Sequence, residues 1–523
     1  MGVIRAGLAA ILGLAAFGAA LGADSAQPGT PGKAKNLILM VADGAGFNTW
    51  RATELYNGEK KPFYRKAPWV SMAVAPSGLS WNGARDDHGD PLGLEPLVYD
   101  PERAWDPAKV SGEKRGVRHF FEGYRWRRTD APDSANTASA LVTGVPTFSG
   151  AINIDGDGNS IERTLAWLSR EAGKRAGIVS SVQFTHATPA AAGGAHNRTR
   201  RAYCELAAEL LTSGLLHFIA GAGNPDFDNN GQPLPEGAER TYRYVGGREI
   251  WEVLTGERPA ERTRRVCADG DGGGVNLDRE ARKLLGHWTL LQDKQRIESL
   301  AEGATPPRVL IVPQVGHVQM QGAYWVGGTV STVRIGGTLQ QARGSRADAR
   351  FTPPGFDPRT ESVPSLATLT QVALNALDDD PDGFFLHVEG GAVDWAMHAN
   401  QLGRTVEEMN DFVDAIEAVV AWVDARDAWD ETLLVVTADH DHMLWGPNAS
   451  RKPFDKLVDK GKGKLPGYRW LSSSHSRSLI PVFARGAGAG YVRSLAKGKD
   501  PVHGPYVEQI DLFKVMSRAA FGE

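Results

Sequence analysis

Apolar runs of five to seven residues recur along the chain and stop abruptly at polar groups. They fall at 36–42 (NLILMVA), 176–182 (AGIVSSV), 309–313 (VLIVP), 383–388 (GFFLHV), 432–437 (TLLVVT) and 480–484 (IPVFA). Continuous apolar runs of this length read as strands buried on both faces. Amphipathic patterns lie between several of them. In 405–424, Met409, Phe412, Val413, Ile416, Val419, Val420 and Val423 recur every three or four residues, which predicts a helix with one apolar stripe. Strands alternating with helices predict an α/β fold, a mostly parallel central sheet with helices on both faces. Regions near 76–128, 222–275 and 318–362 break the rhythm. They read as irregular insertions on one body spanning 23–523, because strand-like runs resume after each. The KLVDKGKGK run at 456–464 reads as a solvated loop.

The strand ends carry the chemistry. LLVVTADHDHML (433–444) runs straight into Asp439, His440, Asp441 and His442. Asp43 follows NLILMVA and is followed by Gly44 and Gly46; Glu389 follows GFFLHV and is followed by Gly390 and Gly391. One polar strand end is ordinarily a capped or hydrated loop. Three of them converge, because ligands in open α/β sheets bind at the carboxyl ends of strands. Carboxylates gathered there repel one another unless cations hold them. Asp394 and His398 are four residues apart, a spacing that serves a surface ion pair or a shared metal; their nearness to Glu389 favours the metal. His475, in SSSHSRSLIPVF, precedes a strand and is framed by small polar residues. Asp, His and Glu donors suit zinc, and an oxygen-rich set suits magnesium. His442 is expected to brace a ligand from behind.

A second stretch supplies something for metals to act on. In TDAPDSANTASALVTGVPT (129–147), the small residues after Ser134 read as the first turns of a tightly packed helix. A serine hydroxyl there gains from the positive end of the helix dipole, and an adjacent zinc would lower its pKa further. An isolated Asp-Ser pair would otherwise be an ordinary helix cap.

Composition changes the picture at the N-terminus. MGVIRAGLAAILGLAAFGAALGADSAQ has one positive residue, an apolar stretch and a small-x-small site at Ala20-Leu21-Gly22. That layout predicts a signal peptide over 1–22, in preference to a membrane anchor, and hence export to the periplasm or beyond the cell. No later segment is long and apolar enough to span a bilayer, so no stable span is expected in the mature chain. A net charge of −4 over 523 residues gives no electrostatic grip on nucleic acid or anionic lipid. The two cysteines, Cys204 and Cys267, could pair in an oxidising compartment; the sequence leaves this open.

DSANTASALVTGVPT resembles the nucleophile motif of the alkaline phosphatases. In chain order, NLILMVADGAGF resembles that family's first metal-ligand motif, and THATPAAAGGAHNRTRR the segment with a magnesium ligand pair and the substrate-clamping arginine. GFFLHVEGGAVDWAMHAN resembles the segment with one magnesium and two zinc ligands, and VVTADHDHM and SSSHSRSLIPVFARG those with the remaining zinc ligands. Six motifs spread in order over most of the chain make a specific likeness.

The resemblance implies two zinc ions and one magnesium. Asp394, His398 and His475 would hold the first zinc, and Asp43, Asp439 and His440 the second, with Asp43 reaching the magnesium. Glu389 and Thr188 would complete the magnesium shell. Ser134 would be the nucleophile, and Asp133 would orient the arginine gripping the phosphate. Arg200 fits the family spacing, with Arg198 and Arg201 as rivals because Gly193 or Gly194 disturbs the register. Some bacterial members carry Asp where this chain has His186 and Lys where it has Trp395; this chain is similar instead to other, often marine, members. An imidazole in place of an oxygen donor makes zinc an alternative for the third site. The implied activity is hydrolysis of small phosphate monoesters through a phosphoserine, by a homodimer. The rivals are a phosphodiesterase or sulfatase of the same superfamily, or a non-catalytic phosphate- or metal-binding protein. No C-x-P-x-R motif favours the sulfatase, and the Glu389, Thr188 and Arg200 set disfavours the diesterase.

Overall fold

Every residue of the strand β1 (Asn36–Ala42) is buried, so both faces of the sheet around it are covered. The computed structural model describes residues 33–59, 62–66, 68–80, 92–111, 120–229, 231–268, 274–316, 354 and 362–523. The expected signal peptide and nearly all of the 318–362 insertion lie outside the described residues.

The main sheet has eleven strands. After β1 come β2 (Val70–Ala75), β3 (Arg175–Gln183), β4 (Phe218–Ala222), β5 (Thr289–Leu291), β6 (Val309–Ile311) and β7 (Phe384–Gly390). They are followed by β8 (Thr432–Thr437), β9 (Ile480–Gly486), β10 (Gly498–Asp500) and β11 (Gly504–Glu508). The spatial order is β10-β11-β2-β9-β8-β1-β7-β3-β4-β6-β5. The seven strands from β8 to β5 are all parallel. Beyond them β9 runs antiparallel to both β8 and β2. The expected parallel core is therefore present; of the four strands beyond it, β9 and the edge strand β10 run against it.

The helices that cover the sheet or bear on the site are α1 (Phe47–Asn57), α2 (Ser134–Thr143), α3 (Ala187–Ala192), α4 (Tyr203–Thr212), α5 (Leu366–Leu377), α6 (Ala392–His398), α7 (Leu402–Ala425) and α8 (Gln509–Phe521). The predicted stripe at 405–424 lies within α7. Met409, Phe412, Ile416, Val419 and Val423 are buried, while Val413 and Val420 pack at its margin. The helix α5 packs beside α7, and α2 packs against α3 and α8.

A separate antiparallel ribbon, Asp441–Trp445 with Arg469–Ser476, sets His442 opposite His475. Two of the irregular regions carry short elements, including helices Glu122–Arg128 and Arg248–Leu254. Cys204 and Cys267 form a disulfide that ties α4 to the 222–275 region. Among the described residues no helix is long and apolar enough to cross a membrane.

Candidate active site

The parallel register delivers three carboxylates to one sheet edge. Val41 of β1 lies level with Glu389 of β7 on one side and Thr437 of β8 on the other. Asp43 and Asp439 each stand two residues beyond these positions, so Asp439, Asp43 and Glu389 come from three adjacent strands. The glycines after Asp43 are required by this crowding. Gly44 has φ +73, and a Cβ there would approach Met397 Cε to 2.7 Å and His442 Cδ2 to 2.9 Å. Its N–H donates to Asp439 Oδ1 at 2.8 Å. A Cβ on Gly46 would overlap the Asp441 carboxylate.

Two clusters of donors form at this edge. One comprises Asp394, His398, His442 and His475; the other comprises Asp43, Asp394 and His440; within each, the donor atoms lie within 4.8 Å of one another. Proton positions in the first follow from its partners. His398 Nδ1 is 2.7 Å from the Ser473 carbonyl, and His475 Nδ1 is 2.8 Å from the Pro132 carbonyl. Carbonyls only accept, so both Nδ1 atoms carry hydrogen, and in the neutral rings both Nε2 atoms present lone pairs. Those two Nε2 atoms face each other at 3.0 Å and face Asp394 oxygens at 3.3 and 3.4 Å. Such a set of facing lone pairs suits a cation. His442 lies 2.7 Å from Asp394 Oδ1 through Nε2, the bracing position expected of it. In the second cluster, His440 Nε2 is 3.2 Å from Asp439 Oδ2, 3.4 Å from Asp43 Oδ1 and 3.2 Å from Ser134 Oγ.

The electrostatics fit a cation as well. Burial, then Asp439, Asp394 and Glu389, push the Asp43 carboxyl well above its ordinary range. Burial and the Asp394 charge raise Asp439, and burial pushes Glu389 to about 7. Burial would raise Asp394 too, but the His398 charge and hydrogen bonds from His398, His442 and His475 hold it well below its usual value. His398 rises to about 9, since the attraction of Asp394 outweighs burial. Burial and the neighbouring His475 hold His440 neutral. Without metal this edge must take up protons that a divalent ion would replace. The buried Asp43 Oδ1 and Thr188 Oγ1 atoms also lack close hydrogen bonds, and Thr188 stands near enough to lower the Glu389 pKa.

Ser134 begins α2 and is buried. Asp133 caps the helix: its Oδ1 accepts from Asn136 N–H at 3.2 Å, and the Asn136 side chain accepts from Asp133 N–H at 3.1 Å. The other Asp133 oxygen meets Arg200 Nη1 at 3.2 Å. Arg198 turns away to the Gly158 carbonyl at 3.2 Å, whereas Arg201 stays at the rim. Ser134, Arg200, Arg201, Tyr203, Asp394, Trp395, His398 and His475 line a cleft of about 330 Å³.

His186 belongs to neither cluster. Its ring stacks on Tyr203 at 5.4 Å and leans on Trp395 at 5.0 Å. Two contributors escaped the sequence reading. Ser180 donates a short hydrogen bond to Glu389 from the neighbouring strand, and the pair of serines inside the apolar run AGIVSSV was the available signal. Tyr203, a wall of the cleft, had no signal beyond following Arg200 by three residues.

The family model for alkaline phosphatase matches residues 122–217 and 348–459. Alkaline phosphatase H of Pseudomonas aeruginosa (strain UCBPP-PA14) is 31% identical over 405 residues, 74% of this chain and 72% of that protein. The chain belongs to the alkaline phosphatase family. Alkaline phosphatase 3 of Bacillus subtilis (strain 168) is 27% identical over 314 residues; these are 59% of this chain but only 48% of that relative's length. The alkaline phosphatase structure from Thermus thermophilus shares the fold, with a TM-score of 0.52 at 18% identity over 97% of this chain and 95% of that one. The two donor clusters therefore sit on a sheet of the alkaline phosphatase fold.

Proposed function

We propose that this alkaline phosphatase relative hydrolyses small phosphate monoesters through a phosphoserine on Ser134. The observation that carries the reading is the position of Ser134 Oγ, 3.2 Å from His440 Nε2 on a cleft shared with Arg200, His398 and His475. The donor chemistry fits zinc at two places, with Asp394, His398 and His475 as one set and Asp43, Asp439 and His440 as the other. Asp43, Glu389 and Thr188 form an oxygen-rich set suited to magnesium, and His186 makes zinc its alternative. When bound, such cations lower the pKa of a hydroxyl or water and offset charge on a departing oxygen.

The chain's own groups do the rest. The helix dipole favours negative charge at Ser134. Ser134 Oγ attacks phosphorus, the bond from phosphorus to the alcohol oxygen breaks, and the alcohol leaves with a proton. Water then displaces Ser134 Oγ from phosphorus, releasing inorganic phosphate and restoring the hydroxyl. Arg200, steadied by Asp133, donates to two non-bridging oxygens throughout. A terminal phosphoryl group offers two charges to this fork, and a diester offers one. The Cys204–Cys267 disulfide supports export, together with the signal-like N-terminus. The chain is then one catalytic body with surface insertions, acting as a homodimer in the periplasm or outside the cell.

Chelation should abolish p-nitrophenyl phosphate hydrolysis, and zinc with magnesium should restore it. Full turnover in protein that elemental analysis finds metal-free would reject the reading.

A further inference from the structure

The metal- and phosphate-directed groups occupy only part of the cleft. Its remaining wall is Arg201, Tyr203 and Trp395. Tyr203 opens α4 three residues after Arg200, so its ring and the guanidinium start from one short segment. The ring is held from behind on two sides. His186 stacks on it with 23° between planes, and Tyr244 lies 5.0 Å away. Arg243 sits over both tyrosines, at 5.2 and 4.7 Å from their centroids, and its Nη2 donates to the Tyr244 hydroxyl at 2.6 Å. Trp395 also packs on His186, with ring centroids 5.0 Å apart. His186 thus contacts both aromatic residues of the wall. Tyr244 and Arg243 come from the 222–275 region, and Cys267 of that region is bonded to Cys204, the residue after Tyr203. An insertion without an evident task therefore builds and fastens one wall of the cleft.

A site that gripped phosphate alone would need no such wall. Rigid aromatic faces bind flat unsaturated rings well, because little conformational freedom is lost and the quadrupoles are already oriented. A small polyol gains little from the same surface. We infer that the cleft discriminates among phosphate monoesters by the alcohol, and that Tyr203, with the buried Trp395 beside it closing the wall, forms the surface on which a flat ring of the leaving group lies. The preferred class is aryl or nucleoside monophosphates over aliphatic ones. This rests on the monoesterase reading and adds the substrate class to it.

The test compares metal-loaded wild type, Tyr203→Leu, Tyr203→Phe and Tyr244→Ala. For each, kcat/KM is measured on phenyl phosphate, adenosine 5′-monophosphate and glycerol 2-phosphate. Intrinsic leaving-group reactivity cancels when each substrate ratio is compared between variants. Tyr203→Leu should lower the ratio of at least one ring-bearing substrate to glycerol 2-phosphate by about 3- to 10-fold. Tyr203→Phe should keep it, and Tyr244→Ala should lower it in the same direction by less. A fall for adenosine 5′-monophosphate alone makes the nucleobase the ligand of the wall; a fall for both makes it any flat ring. Equal losses on all three substrates, or a ratio unchanged in Tyr203→Leu and Tyr244→Ala, would overturn the inference. Calorimetric binding of phenylphosphonate against methylphosphonate keeps the question separate from turnover. If wild type hydrolyses no monoester, the function proposed above fails, while loss of phenylphosphonate preference in Tyr203→Leu still decides the role of the wall.

Discussion

Arg200→Ala is the sharpest single perturbation of the proposed chemistry. The guanidinium is held by one contact, Nη1 to Asp133 Oδ2 at 3.2 Å, and about a quarter of its side chain is exposed, 25% against 19% for Asp133. Its side chain lines the cleft that Ser134 shares. A charge-assisted bidentate contact contributes about 2–4 kcal/mol to transition-state binding in a closed site. Partial exposure screens this one, which favours the lower half of that range, about 2–3 kcal/mol or roughly 30- to 150-fold in kcat/KM. A diester presents one charge fewer and should forfeit less. The assay measures kcat/KM for p-nitrophenyl phosphate and bis-p-nitrophenyl phosphate on wild type, Arg200→Ala, Arg198→Ala and Arg201→Ala. The monoester preference should narrow in Arg200→Ala and stay put in Arg198→Ala, whose side chain points to Gly158. If only Arg198→Ala or Arg201→Ala narrows it, the assignment to Arg200 is wrong. If wild type already prefers the diester, the monoesterase reading is wrong.

Ser134→Ala should lose most turnover, and acid-quenched wild type should carry phosphate on Ser134; label recovered on Thr137 or Ser139 would mean that the nucleophile is misassigned. The disulfide closes a separation of 63 residues, for which chain entropy allows stabilisation of up to about 4 kcal/mol. Cys204→Ser with Cys267→Ser should therefore lower the urea midpoint, and an unchanged midpoint would show that packing alone fixes that region. His387 is buried in β7, and burial depresses its pKa to about 3. Below the ordinary value of 6.5 the unfolded chain takes a proton that the folded one refuses, so stability falls as pH drops from about 6.5 towards 3, by an amount on the order of 3–5 kcal/mol. His387→Leu should flatten that limb of the stability–pH curve measured by urea titration, and an unaltered slope would assign the acid loss to other groups.

The parts of this architecture that could be read beforehand were those with a one-dimensional signature. Asn36–Ala42 and Thr432–Thr437 form strands over the residues their apolar runs span. The stripe of α7 is visible because a helix that faces a sheet must repeat every three or four residues. The convergence of Asp43, Glu389 and Asp439 followed from parallel strands ending alike. What the sequence did not disclose depends on pairing between distant segments. Nothing in IPVFA announces that β9 runs against its neighbours. Short strands such as Thr289–Leu291 carry too few residues for periodicity. The choice among Arg198, Arg200 and Arg201 rested on spacing; the structure puts Arg198 on the Gly158 carbonyl and leaves both Arg200 and Arg201 on the cleft. Tyr203 and Tyr244 form a wall only because a disulfide and a stacked histidine bring distant residues together.

The position of β1 has a consequence for how the chain is made. It emerges early in synthesis, yet its neighbours β7 and β8 start only at Phe384 and Thr432. Until those are made, a strand apolar in all but Asn36 has neither of its partners and offers two open edges to any other chain. Asp43 likewise waits for Asp439 and His440, so no incomplete chain can assemble the full donor set. A polypeptide with this connectivity gains from being kept extended until its last third is available. Crossing a membrane before folding would do that, and would postpone metal capture until the sheet is whole.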